Sequence, residues 1–170
     1  MLLYHPATDF YHCWMRFASI LCECGHKGTE FDRIRILDFL LCFPHEIRKC
    51  KLPREDSAEL RRKIKQLPET YEDPQSIRQA FLPMTKIHKQ VTMDMVARGI
   101  IQRKKYQEGT LILNIEEAHA YDFITSVAEE WKIRNEEWHE KLINVVLSIP
   151  LNGRGGLKDR TGLLEFRYDG

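Results

Sequence analysis

Between Met84 and Met95 the apolar residues Met84, Ile87, Val91 and Met95 fall three or four positions apart, and Gly99 follows. That spacing lines one face of an α-helix. A glycine at its end supplies a left-handed C-cap, which residues carrying a Cβ adopt only at a cost. Beyond Gly99 the pattern changes. Ile100-Ile101 leads into the basic run Arg103-Lys104-Lys105, the turn residues Glu108-Gly109, and then Thr110-Leu111-Ile112-Leu113. Two β-prone segments around a glycine turn predict a hairpin.

Helix, glycine, short strand and charged hairpin follow in the order of a winged helix, whose second long helix is the usual groove reader and whose hairpin is the wing. The order also occurs in other α+β domains. The fold class expected is therefore α+β, mostly helical, as one winged-helix-like domain over residues 1–170. Thr8 or Asp9 is placed to cap a helix with apolar positions Phe10, Cys13/Trp14, Phe17 and Ile20/Leu21, ended by Gly25 and Gly28. Its broad aromatic stripe predicts burial, in the core or against a partner. Thr29 or Glu30 opens the next helix, with Phe31, Ile34, Leu37, Leu40 and Leu41 inward, Asp32, Arg33 and Arg35 off that stripe, and Pro44 as its stop.

Residues 44–82 exceed what a bare winged helix requires and read as an insertion, mobile and available as a binding surface. It contains a short basic helix at 57–67 and another at 75–81, with Pro83 starting the long helix. After the hairpin, Asn114 is placed to cap an acidic helix over about 116–149, with stripe residues Tyr121, Ile124, Val127, Trp131, Trp138, Leu142, Val145 and Ile149. Unbroken, it would span on the order of 50 Å at about 1.5 Å per residue. The apolar stripe lapses at Arg134-Asn135, where a kink or break is expected. Trp131 and Trp138 are then candidates for contact with another chain, or for the core of two antiparallel helices. Residues 151–170 read as a glycine-rich loop followed by a strand at Leu164–Tyr168.

The net charge of +1 conceals an asymmetry. Residues 51–110 carry thirteen Lys/Arg against eight Asp/Glu, and residues 111–150 carry three against eight. One part of the chain is suited to face an anion and another a basic partner. No apolar run approaches the roughly 20 residues of a membrane span, and MLLYHPATDF lacks the pattern of a signal peptide. A cytoplasmic location, away from any membrane, is expected. Five cysteines, an odd number, argue against a disulfide framework. Cys22, Cys24 and His26 lie close in sequence, but C-x-C-x-H places two thiolates poorly around a tetrahedral ion. No metal or cofactor is expected.

Catalytic patterns are also missing. The seven histidines are scattered, with no H-x-x-x-H pair and no G-x-S-x-G. Gly153-Arg154-Gly155-Gly156 lacks the Lys-Ser/Thr of a P-loop. The expectation is a protein without an active site of its own.

Three segments, YHPATDFYHCWMRFASIL, EFDRIRILDFLLCFP and GLKDRTGLLEFRY, carry a resemblance to a known family. The chain resembles the middle components of bacterial ABC-three-component systems, the group that includes Lamassu-type anti-phage defence. The resemblance spans Tyr4 to Tyr168. It implies a small winged-helix subunit that sits with an SMC-like ABC ATPase, which senses foreign DNA, and with an effector subunit, commonly a nuclease. It further implies that the middle subunit bridges the two and restrains the effector until DNA arrives. No active-site residues belong to such a component. A different class, a homodimeric winged-helix transcription regulator, would place Lys86, Lys89 and Gln90 in the major groove and Arg103, Lys104 and Lys105 on phosphates. The same basic wing is a candidate DNA contact within the complex. Trp14, Phe17, Trp131 and Trp138 are the candidate partner contacts.

Overall fold

A computed structural model describes residues 5–68 and 76–164. The fold is organised around α1 (Phe10–Cys24), which packs against α2, α4, α6 and α7. The Asp9 carboxylate caps α1 by accepting the His12 N–H at 2.8 Å, which satisfies one of the donors a helix start leaves free. Gly25, at φ +56°, closes it. Cys13, Phe17, Ala18 and Ile20 on α1 are wholly enclosed.

Gly28 turns the chain into β1 (Thr29–Glu30). At φ +64°, a Cβ there would lie 2.4 Å from the Leu111 carbonyl oxygen. Glycine is therefore what lets this strand approach β2 (Thr110–Leu111), with Thr29 opposite Leu111 and Glu30 opposite Thr110, antiparallel. The chain beyond β2 is bonded to residues 100–102 as well. Gln102 N–H donates to the Ile112 carbonyl at 2.9 Å, and Asn114 N–H to that of Ile100 at 2.8 Å. The expected pairing of these two segments is thus present at their outer ends. Between them, however, the basic run is not a hairpin arm: Arg103–Gln107 form the short helix α5.

Glu30 leads into α2 (Phe31–Cys42), which ends before Pro44. Every residue from Arg33 to Leu41 is buried, so Arg33 and Arg35 are not on a solvent face as the stripe suggested. A helix enclosed all round must pair its polar groups internally. Arg33 does so with Glu30 and with the Val146 carbonyl. Arg35 donates to Thr85 Oγ1 at 2.8 Å and lies over the rings of Phe31 and Phe81.

The segment expected to be an insertion contains α3 (Arg54–Lys65), docked on α7 (Trp138–Leu147). Leu60 and Ile64 are buried at 1% and 0% exposure. Lys63 pairs with Glu137 and Lys141 with Glu59 across the seam. The expected helices at 75–81 and from 84 onward are one, α4 (Ile77–Ala97), with Pro83 inside it. An interior proline costs about 3 kcal/mol. Here the ring faces solvent, while the flanking Phe81 and Met84 are buried at 3% and 0% and hold the helix together.

The acidic helix is divided into α6 (Ala118–Arg134) and α7, at the place where the apolar stripe lapsed. The Asn135 side chain donates to the Trp131 carbonyl at 2.7 Å and finishes α6. The two helices share the core around α1 rather than projecting as one rod. Last comes α8 (Leu157–Thr161), tied to the segment before α3 by Lys51 N–H on the Arg160 carbonyl at 3.0 Å. Apart from Leu164, the strand expected at Leu164–Tyr168 lies outside the described residues. The chain is therefore α+β and mostly helical, with a small two-stranded antiparallel sheet. Among the described residues no helix is long and apolar enough to cross a membrane.

Candidate DNA and partner surfaces

The outward face of α4 carries Lys86, Lys89, Gln90 and Met93, all exposed, the last at 62%. Its inner face holds Val91, Met95 and His88 in the core. The α4 lysines point to solvent because the apolar spacing Met84–Ile87–Val91–Met95 commits the other side to packing. On α5, Arg103 and Lys104 are exposed and Lys105 pairs with Glu108 at 2.9 Å. Residues 98–102 separate the two basic segments.

The four aromatic candidates divide. Phe17 and Trp138, expected among partner contacts, are enclosed by the chain's own helices at 0% and 4% exposure. Phe17 stacks on His88, and Trp138 packs edge-on to His139. Trp14 is mostly buried, donating Nε1–H to Asp94 at 3.1 Å, but one side of it lines a groove of about 340 Å³ with Tyr11, Met15, Phe123 and Arg98. Tyr11 and Phe123 are 74% and 50% exposed. Trp131 is half-buried, at the break between α6 and α7.

Sequence reasoning did not anticipate a charged node in the core. Arg16 on α1 grips Asp38 on α2 through Nε at 2.6 Å and Nη2 at 3.2 Å. His88 Nε2 lies 2.9 Å from the same carboxylate. All three are buried, Asp38 and His88 at 0% exposure. Burial alone would raise the Asp38 pKa, but Arg16 and the His88 hydrogen bond outweigh it and hold the carboxyl below its usual range. Cys13 completes a set of three donors close enough for one cation. The chemistry does not suit one. Both Asp38 oxygens are taken by the guanidinium, and burial, then Asp38 itself, holds the Cys13 thiol protonated.

Cys22, Cys24 and His26 do not converge: they are half-buried, buried and exposed respectively, and form no ligand group among the described residues. Burial pushes the Cys22 and Cys24 thiols up to about 11 and 12, so neither is a ready thiolate. The glycine loop at 153–156 precedes α8, a helix the sequence reading did not place. Its Gly155 N–H is already bonded to Asp159 at 2.8 Å.

These features define a small helical protein with outward basic and aromatic surfaces and a buried charged centre at Arg16, Asp38 and His88. Residues 2–169 match the family described as ABC-three component (ABC-3C) system Middle Component 5, and the chain belongs to that family. It is accordingly an accessory subunit of a multi-component system and has partner components. No curated protein and no solved structure matches the chain.

Proposed function

We propose that this chain is a non-catalytic middle subunit of an anti-phage or anti-plasmid defence complex of the Lamassu type. It bridges an SMC-like ABC ATPase that senses foreign DNA to an effector such as a nuclease, and it keeps the effector inactive until DNA arrives. The observation that carries this reading is the family membership across residues 2–169. With α3 set aside as an insertion and α5 as part of the wing, the order α1, β1, α2, α4, residues 100–102 and β2, with β2 and its continuation bonded to both other strand segments, supports a winged-helix core. In that reading α5 replaces the tip of the wing, and Lys86, Lys89, Arg103, Lys104 and Lys105 are its DNA contacts. The groove beside Trp14 and the exposed face of Trp131 are its partner contacts. Co-expression with the neighbouring ATPase and effector genes tests it. A stable complex is expected, and a chain that elutes alone from both counts against the proposal.

The exposed lysines of α4 favour one second reading, a homodimeric winged-helix regulator acting on DNA by itself. Sequence-specific, steeply salt-dependent binding by the isolated protein would favour it over the bridging role.

A further inference from the structure

On α3 the charges are sorted by side. Asp56 and Glu59 lie toward α7, where they line a groove with Lys141 and Asn144. Glu59 and Lys63 find their partners, Lys141 and Glu137, on that same side. Arg54, Arg61 and Lys65 are seven and four residues apart and fall on another stripe of the helix. Arg61 fastens this stripe to the chain before α3. Its Nη2 donates to the Cys50 carbonyl at 2.8 Å and its Nη1 to that of Ile47, in the 3-10 turn Pro44–Arg48, at 3.4 Å. The backbone that carries Arg48 and Lys51 is thereby held beside the cations of α3.

No carboxylate offsets these groups. Among the described residues Arg48, Lys51, Arg54, Arg61 and Lys65 have no ion pair, and all but the half-buried Arg61 are exposed. Glu46, the acid of the 3-10 turn, is buried and bonded to Lys49 at 2.6 Å. Glu55 lies about 100° round the helix from Arg54. Arg62 shares the field of Glu59 and is not counted with the others. Residues 44–68 contain no Phe, Tyr or Trp, and none of the exposed large apolar side chains lies among them.

We infer that this surface binds the phosphate backbone of duplex DNA, on elements other than α4 and α5 and without regard to sequence. A protein partner would want an apolar centre to the patch, and a single strand would want aromatic rings to stack on. An anionic bilayer takes up the apolar face of a helix, but α3 has Leu60 and Ile64 in the core at 1% and 0% exposure. Unpaired cations on a fixed frame are what a backbone contact uses. The eleven residues from Arg54 to Lys65 cover about 16 Å at about 1.5 Å each, or roughly five base-pair steps of about 3.4 Å. The reading of the chain as a subunit of a DNA-sensing complex enters only in choosing DNA over RNA. Binding is measured on the isolated protein, so its failure leaves the bridging role standing.

The test is the fluorescence anisotropy of a labelled DNA duplex titrated with the full chain over a series of salt concentrations. Binding in the micromolar range is expected at low salt, equal for two duplexes of scrambled sequence. Lys51→Gln/Arg54→Gln/Lys65→Gln should weaken it about tenfold or more, and make the logarithmic salt slope shallower by about 2–3. All three side chains are exposed, so the variant keeps the fold and its thermal midpoint. No binding by the isolated chain, or a triple variant with unchanged affinity and slope, overturns the surface. A strong preference between the scrambled duplexes overturns the backbone mode. Tighter binding of duplex RNA, single-stranded DNA or polyglutamate through the same three residues overturns the assignment to duplex DNA.

Discussion

Asp38 is enclosed at 0% exposure, yet it holds two partners, Arg16 and His88, from two different helices. Removing one member of such a pair leaves the other charged and dry, which costs about 3–5 kcal/mol. Asp38→Asn is therefore expected to lower unfolding free energy by about that much, read from denaturant melts. Because the folded pKa of Asp38 is depressed, its contribution is present above the unfolded value near 4 and is lost as pH falls through the lower folded value. His139 acts in a higher window. Its pKa falls from 6.5 to about 4 on folding, so the unfolded chain binds the extra proton between those values. Stability should decline from pH 6.5 to 4, by at most about 3 kcal/mol from this residue. His139→Phe should flatten that slope, whereas an unaltered slope would contradict the burial of a neutral ring. None of this was legible in the sequence. Arg16, Asp38 and His88 are 22 and 50 residues apart in their bonded pairs, and nothing in a helical pattern announces that a charged position faces inward.

The helices were more readable than the connections. Asp9 and Gly25 bound α1 as their chemistry suggested, and the lapse at Arg134-Asn135 marked the division of α6 from α7. Local signals failed where tertiary packing decided the outcome. Pro83 looked like a helix start, but buried Phe81 and Met84 carry α4 through it. The run Arg103–Lys105 looked like a hairpin arm, but β2 finds part of its pairing with β1, 80 residues away, and leaves the basic run free to coil. Likewise α3, too short to persist alone, is held by its docking on α7. Ile64→Ala is expected to cost about 2–5 kcal/mol, since it empties a fully buried site. Glu59→Gln with Glu137→Gln should leave stability nearly unchanged, because those ion pairs lie in solvent. Thermal melts of the two variants separate a docked helix from one held by its surface charges. Equal losses would overturn the packing account.

At the scale of the whole molecule, the charge asymmetry in the sequence becomes a division of surfaces. The basic residues of α4 and α5 face solvent on one pair of elements, and the carboxylates gather on α6 and α7. Arg103→Glu with Lys105→Glu is expected to weaken DNA binding by the assembled complex and to flatten its salt dependence, without dissolving the complex. Filter binding at two ionic strengths checks this, and unchanged affinity removes α5 from the DNA contacts. The family was legible in the segments around Tyr4, Glu30 and Gly156, but the faces that meet each partner were not, since burial decides which aromatic residues reach the surface. The most direct test of the bridging role is a three-way pull-down from cells that co-express the chain with its neighbouring ATPase and effector genes. If the chain bridges them, tagged ATPase retains the effector only when this subunit is present. Retention of the effector in its absence would contradict the account.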